Sequence, residues 1–348
     1  MPAWWRPGRW RQTRSGSANR RSGTRAPSAG LPALELRSRP TDRRGPHMPP
    51  DRPRWAPRDA QPVPGDVPWH LTALRVREAW RASTGAGIRV AVLDNGVASV
   101  GGLPATRVEH FRPDGTPWAN PPFGQAHGTY CAGLIASSHA RSPGLAPGAT
   151  VLNFPIVGPD GRPSLDAVEE ALAVGCFAAS AQVVSCSFLL DAVTPRLQHA
   201  VQLLSQAGVF VVGAAGNTPD TTAAFPEQVQ GIFTATALGS TGRVLPTASL
   251  DDWVDVAAPG EALRVVQPDG RWTTWNGLTS GAAAITAGAA ALALGLCDTQ
   301  DELRKMGQAL PGLIRSTSSQ ISPEMPFGRL APLPLVKAAL ALLGALSS

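Results

Sequence analysis

The pattern of apolar and polar positions changes character near Val67. Before it, Arg, Pro, Gly and Ser leave no apolar period of either kind; after it, short apolar runs alternate with amphipathic stretches almost to the end. Leu71, Leu74, Val76, Ala79 and Trp80 recur at helical spacing through Ala82, and Gly85-Ala86-Gly87 ends that helix. Residues 88–93, apolar except for Arg89, predict a buried strand. Residues 97–126 are rich in Gly and Pro and read as a loop. Small and apolar residues after His127 predict a closely packed helix that starts there. Strands are then predicted over 150–157, 182–188, 209–213 and 231–237, and helices over 164–179 and 195–207. A hairpin over 263–267 and 271–275 turns at Pro268-Asp269-Gly270. Helices over 281–296, 299–308 and 334–346 close the chain. Such alternation predicts an α/β fold in three layers, with a mostly parallel central sheet covered by helices on both faces. No internal repeat is present.

Residues 281–296 carry no charge and are almost all Ala, Leu, Ile and Gly, as in a buried helix. Thr279 and Ser280 stand in the turn that leads into it. A Ser there satisfies an orphan backbone N–H as a cap. It also stands where free N–H groups and the helix dipole favour developing negative charge. Taken alone, the stretch favours the cap.

Charge divides the chain in the same place. Residues 1–60 hold 14 Arg and 4 acidic residues, a net of +10; the rest hold 17 basic and 21 acidic, a net of −4. The basic character belongs to the N-terminal segment. With little to bury, residues 1–66 are expected to be a disordered Arg/Pro-rich extension, and residues 67–348 the folded domain. Met48 is an alternative start inside that extension. Nucleic acid or an anionic membrane would be partners for the extension, but composition favours a solvated tail. No segment has the length of a membrane span, and no apolar run follows the N-terminal arginines as in a secretory signal. The expectation is a cytoplasmic monomer, with secretion as the alternative.

Cys131, Cys176, Cys186 and Cys297 lie scattered in apolar stretches without metal-ligand spacing, so buried free thiols are expected. Asp160, Asp220 and Asp251 lie in loops with no spacing suited to calcium. No cofactor or metal is expected; a structural calcium is the alternative left open, though nothing indicates it.

Candidate chemistry comes from three positions. Asp94 follows the strand over 88–93, where α/β folds place working residues, though Asp-Asn-Gly is also ordinary turn chemistry. His127 opens a helix, where a capping or core histidine is the plainer reading. Ser280 opens a later helix. Together, an Asp that orients a His that deprotonates a Ser makes an activated nucleophile. The chain order Asp, His, Ser is one of three known orders for that constellation.

On these residues the chain resembles the subtilases from about Trp69 onward. Val90-Ala91-Val92-Leu93-Asp94-Asn95-Gly96 is similar to the family's Asp motif. His127-Gly128-Thr129 with Ala132-Gly133 is similar to its His motif. Thr279-Ser280 with Ala282-Ala283 and Ala287-Gly288 is similar to its Ser motif. Ala214-Ala215-Gly216-Asn217 resembles the oxyanion segment, and Ala258-Pro259-Gly260 is a further family string. The resemblance implies Ser280 as nucleophile, His127 as general base and then acid, Asp94 as its orienter and Asn217 as oxyanion donor. It implies substrate binding by Ser187, Phe188, Leu189, Ala215 and Gly216.

Three departures stand out. Leu278 replaces the Gly that usually precedes Thr-Ser, and Gly277 is expected to take up the turn instead. Gly281 and Ala284 stand where Met and Pro are common. Leu189 and Leu190 stand where the substrate strand normally has two glycines, which narrows or reshapes the pocket for the substrate side chain. The function expected is a serine endopeptidase, including a specialised processing peptidase, acting on peptide or protein substrates. The alternative is a catalytically degenerate subtilase-fold module that binds peptides or proteins. A third reading makes the basic extension the functional part.

Overall fold

The computed structural model describes residues 67–121, 125–158, 160–219 and 224–346. Every described element belongs to the unit spanning residues 53–348. The expected N-terminal extension lies outside the described residues, as does Asp220.

In chain order the elements are α1 (Trp69–Ala73), α2 (Val76–Ala79), β1 (Arg89–Asp94), β2 (Val108–His110), α3 (His127–Ala136), β3 (Ser138–His139), β4 (Ser142–Pro143) and β5 (Thr150–Pro155). α4 (Leu165–Glu170) passes through a π-helical turn, Ala171–Gly175, into α5 (Cys176–Ala178). Then come β6 (Val183–Cys186), α6 (Pro195–Gln206), β7 (Phe210–Ala214), β8 (Phe233–Leu238), β9 (Val256–Pro259), β10 (Leu263–Val266) and β11 (Trp272–Trp275). The chain ends with α7 (Leu278–Leu294), α8 (Gln300–Thr317), β12 (Ser319–Gln320), β13 (Gly328–Arg329) and α9 (Pro332–Leu346).

One sheet of nine strands runs β12-β13-β9-β8-β7-β6-β1-β5-β2. All its pairings are parallel except β12 with β13. β1 lies between β5 and β6, with Val90 level with Val151 on one side and Val183 on the other. Its side chains alternate between two cores. Val90 and Val92 face a layer containing α3, α7 and α9, whereas Ala91 and Leu93 face one containing α4, α5 and α6. A strand buried on both faces has few polar positions to show, which is why β7 is apolar throughout, β1 is apolar between Arg89 and Asp94, and β8 interrupts its apolar run only with the buried Thr234 and Thr236. This is the expected three-layer α/β architecture, with a mostly parallel sheet between two layers of helices.

From β1 the chain goes to β5 on one side, then returns to β6 on the other. In an open parallel sheet, that reversal leaves a crevice at the carboxyl ends of the strands. Asp94 ends β1, Ser187 follows β6 and Ala215 follows β7, so all three stand at that edge.

Some expected elements differ. The helix over 71–82 is two short helices, because Arg75 between them takes a left-handed φ of 53°. β2 lies inside the stretch read as loop. β9 carries no strand signal in sequence, because Val-Ala-Ala-Pro is short, mostly small and ends in Pro. α8 runs to Thr317 through Pro311.

Candidate active site

Asp94 is 6 % exposed at the end of β1 and accepts the backbone N–H of Asn95 at 2.8 Å. Both of its carboxylate oxygens lie 2.9 Å from Nδ1 of His127. A carboxylate only accepts, so Nδ1 carries the proton and Nε2 is the nitrogen that takes up another. The side chain of Asn95 accepts the Gly128 N–H at 3.0 Å and fastens the start of α3 to the turn after β1. That approach needs a glycine at position 128: a Cβ there would stand 2.4 Å from the Gly96 carbonyl oxygen. The indole of Trp275 meets the His127 ring edge-on at 5.4 Å and packs on Tyr130 at 5.3 Å.

Burial pushes the His127 imidazole down. The charge of Asp94, Cys131 beside it and the Asp94 hydrogen bond together push it up more strongly, so its pKa stands well above the ordinary histidine value.

Ser280 is the third residue of α7 and is 8 % exposed. No side chain caps this helix by the usual local bond. The Ser280 hydroxyl instead donates to the Ser187 carbonyl at 3.3 Å, and the Ser187 hydroxyl donates to the Ser280 carbonyl at 3.1 Å. The plain capping role is therefore absent. The orphan donors of α7 are met from other segments. The Leu278 N–H reaches the Gly260 carbonyl at 2.8 Å, and the Thr279 N–H reaches Oδ1 of Asn217 at 3.0 Å. Among the described residues the Ser280 N–H has no carbonyl partner.

Asn217 is exposed beyond β7. Its Oδ1 also accepts the Thr279 hydroxyl at 2.9 Å. Two donors at one atom fix that atom as the oxygen and turn Nδ2 away from Thr279.

The turn before Ser280 departs from expectation. Gly277 has an ordinary φ of −75°, and Leu278 itself takes the left-handed φ of 50°. Gly277 does not absorb the turn. For a leucine this conformation costs about 1–2 kcal/mol.

Cys131 is the buried free thiol expected, and its place is more particular. One helical turn past His127, its Sγ lies 3.9 Å from Nδ1, and it also bonds to Ser187. Burial pushes the thiol up, while His127 pulls it down. Ligand atoms of Asp94, His127 and Cys131 all lie within 4.8 Å of one another. As cation ligands they would consume the same Nδ1 that faces Asp94, so the two uses exclude each other. The spacing of four between His127 and Cys131 on one helix was the signal that could have revealed this contact. Among the described residues, neither Asp160 nor Asp251 joins such a cluster, and no helix is long and apolar enough to cross a membrane.

The substrate-binding candidates divide. Ser187 touches Ser280 directly. Phe188 turns away and stacks on Phe225, with ring centres 5.2 Å apart. The methyls of Leu189 lie near Gly216, and Ala215 is buried beside it.

The model of the subtilase family matches residues 85–312. Subtilisin BL from Lederbergia lenta is 31% identical over 234 residues, covering 65% of this chain and 83% of that protein. Subtilisin Savinase from the same organism is 30% identical with the same coverage. The crystal structure of MycP1 with its N-terminal propeptide removed has a TM-score of 0.65 and 22% identity, covering 78% of this chain and 97% of that one.

Proposed function

The chain belongs to the subtilase family, and from that premise we propose that it is a serine endopeptidase with Ser280, His127 and Asp94 as its triad. The observation that carries the reading is the His127 ring held by Nδ1 on both oxygens of Asp94. That contact serves no cap and no fold-wide core; its effect is to select the tautomer whose Nε2 is a base.

In the reaction the Ser280 hydroxyl turns from the Ser187 carbonyl toward Nε2. Its oxygen attacks the peptide carbonyl as the proton passes to His127, and Asp94 stabilises the imidazolium. The oxyanion that forms is met by Nδ2 of Asn217 and by the Ser280 N–H at the positive end of α7. Collapse expels the amine, which takes the proton from Nε2 and leaves an acyl-enzyme. Water then enters, His127 again accepts a proton, and the acid is released. Peptides or proteins are the substrates, and the mechanism needs no cofactor.

The second reading, a silent peptide-binding module, draws on the strained Leu278 and on Leu189. A fluorophosphonate probe separates the two. The full chain is expected to label, and Ser280→Ala to abolish labelling and peptide cleavage together, with kcat down about 10⁶-fold, the size of that loss in a subtilisin. Folded wild-type protein that neither labels nor cleaves would establish the silent module.

A further inference from the structure

We infer that Leu189 closes the slot beside Ser280 and restricts cleavage to bonds whose acyl-side residue is small: Gly, Ala or Ser. The inference names a substrate class and rests on the serine peptidase reading above.

The argument starts from the extended segment after β6, in which successive side chains face opposite sides. Ser187 faces α7, through its hydrogen bond to the Ser280 carbonyl. Phe188 faces the other way, stacked on Phe225 with the rings 7° from parallel. Leu189 returns to the side of Ser187. Its Cδ1 and Cδ2 lie 3.4 and 3.9 Å from where a Cβ would stand on Gly216. One wall is thus residues 187–189 and the other is Ala215-Gly216-Asn217, with a leucine side chain reaching from the first to the second.

Both walls are pinned. Leu190 and Phe225 exchange backbone hydrogen bonds of 3.4 and 3.1 Å, so the first wall is tied to the strand-like segment behind it. The Gly216 N–H donates to the Thr279 hydroxyl at 3.2 Å, and its carbonyl accepts the Ser249 N–H at 3.0 Å. Gly216 holds a φ of 104°, a conformation that bars a side chain from that wall and leaves the filling of the slot to Leu189.

An acyl group bonded to Ser280 with its oxygen on Asn217 has one place for its Cα substituent. The first wall begins at the hydrogen-bond partner of Ser280, and the second ends at the oxyanion donor. The substituent therefore points between them, where the Leu189 methyls already stand. A hydrogen, methyl or hydroxymethyl fits beside them; a benzyl or isobutyl group meets them.

The test uses the full chain and matched fluorogenic peptides that differ only in the acyl-side residue: Gly, Ala, Ser, Leu, Phe or Lys. Wild type is expected to favour Ala over Phe by about 100-fold or more in kcat/KM. Leu189→Gly is expected to raise kcat/KM for Phe by about 10-fold or more, with Leu189→Ala raising it less. Fluorophosphonate labelling of each variant reports whether it has folded. Wild type that labels and cleaves after Phe or Leu as fast as after Ala overturns this inference and leaves the peptidase reading intact. So does a labelled Leu189→Gly with no gain on Phe. Protein that neither labels nor cleaves overturns both.

Discussion

The site has two halves built to different standards. The half that handles protons is locked: Asp94 is held by Asn95, His127 by both Asp94 oxygens, and the start of α3 by Asn95 through Gly128. The half that receives the acyl group has been rebuilt. Leu278 takes a φ suited to glycine, Leu189 sets its methyls against Gly216, and the Ser280 hydroxyl rests on the Ser187 carbonyl. Proton transfer requires a few atoms within hydrogen-bond reach, so each substitution there is felt in full. A pocket wall tolerates exchange as long as something fills the space. Beside Gly281 the space is filled in this way: a Cβ on it would stand 2.5 Å from Leu263 Cδ1, so Leu263 occupies the room that a larger residue at that position would need.

Asn217 belongs to the half that receives the acyl group, through its two bonds to Thr279, and after Ser280 its removal should have the largest effect on rate. Asn217→Ala is expected to lower kcat by about 10²–10³ with little change in KM; this magnitude was measured on a subtilisin and is carried over rather than derived. The variant also deprives the Thr279 N–H of its acceptor. Asn217→Asp separates the two roles, because it keeps an oxygen for Thr279 and loses the donor. Steady-state kinetics should show the same kcat loss in both, with the thermal midpoint lowered more in the alanine variant. A loss below about 10-fold in both would remove Asn217 from the oxyanion role.

The locked half makes a prediction about pH. The His127 pKa is raised above 6.5, through Asp94. Activity needs neutral His127, so kcat/KM should rise about 10-fold per pH unit along its acid limb, with a midpoint above 6.5. A midpoint below 6.5, or a flat profile, would contradict the base role. Stability runs the other way. A raised folded-state pKa contributes stability that is fully present below the unfolded value of 6.5 and is lost as pH rises through the folded value. The enzyme should therefore gain activity over the same range in which this pair ceases to stabilise it. Unfolding curves of wild type and His127→Ala, compared across that range, should converge as pH rises.

Much of this was legible before the structure. The layers followed from strands such as 88–93, apolar on both faces beyond Arg89, and Asp94, His127, Ser280 and Asn217 were named from local strings. Of what was not legible, three features are instructive. The contact of Cys131 with His127 needed the helix to be taken as a three-dimensional turn. β9 is short, small-residue and Pro-terminated, so neither periodicity nor propensity marked it. The turn before Ser280 was misassigned because glycine is the residue that most easily adopts a positive φ, and Gly277 was at hand. What decided otherwise was long-range. The Leu278 N–H is held by the Gly260 carbonyl, and its own carbonyl stands 2.6 Å from where a Cβ would lie on Gly260.

The smallest predicted effect sharpens the contrast between the halves at that residue. If the rebuilt half stores strain at Leu278, the strain should be visible apart from packing. Leu278→Ala and Leu278→Gly both remove the side chain beyond Cβ, so their difference isolates the backbone. At a φ of 50° the alanine still sets its Cβ against the following carbonyl, and the glycine does not. In an ordinary helix position glycine would be the less stable of the two. Here the order should reverse, with Leu278→Gly more stable than Leu278→Ala by about 1 kcal/mol. Chemical unfolding in a Ser280→Ala background measures this without self-cleavage. An alanine variant as stable as the glycine one would mean that α7 begins without strain, and that its leucine differs from a glycine only in what it packs against.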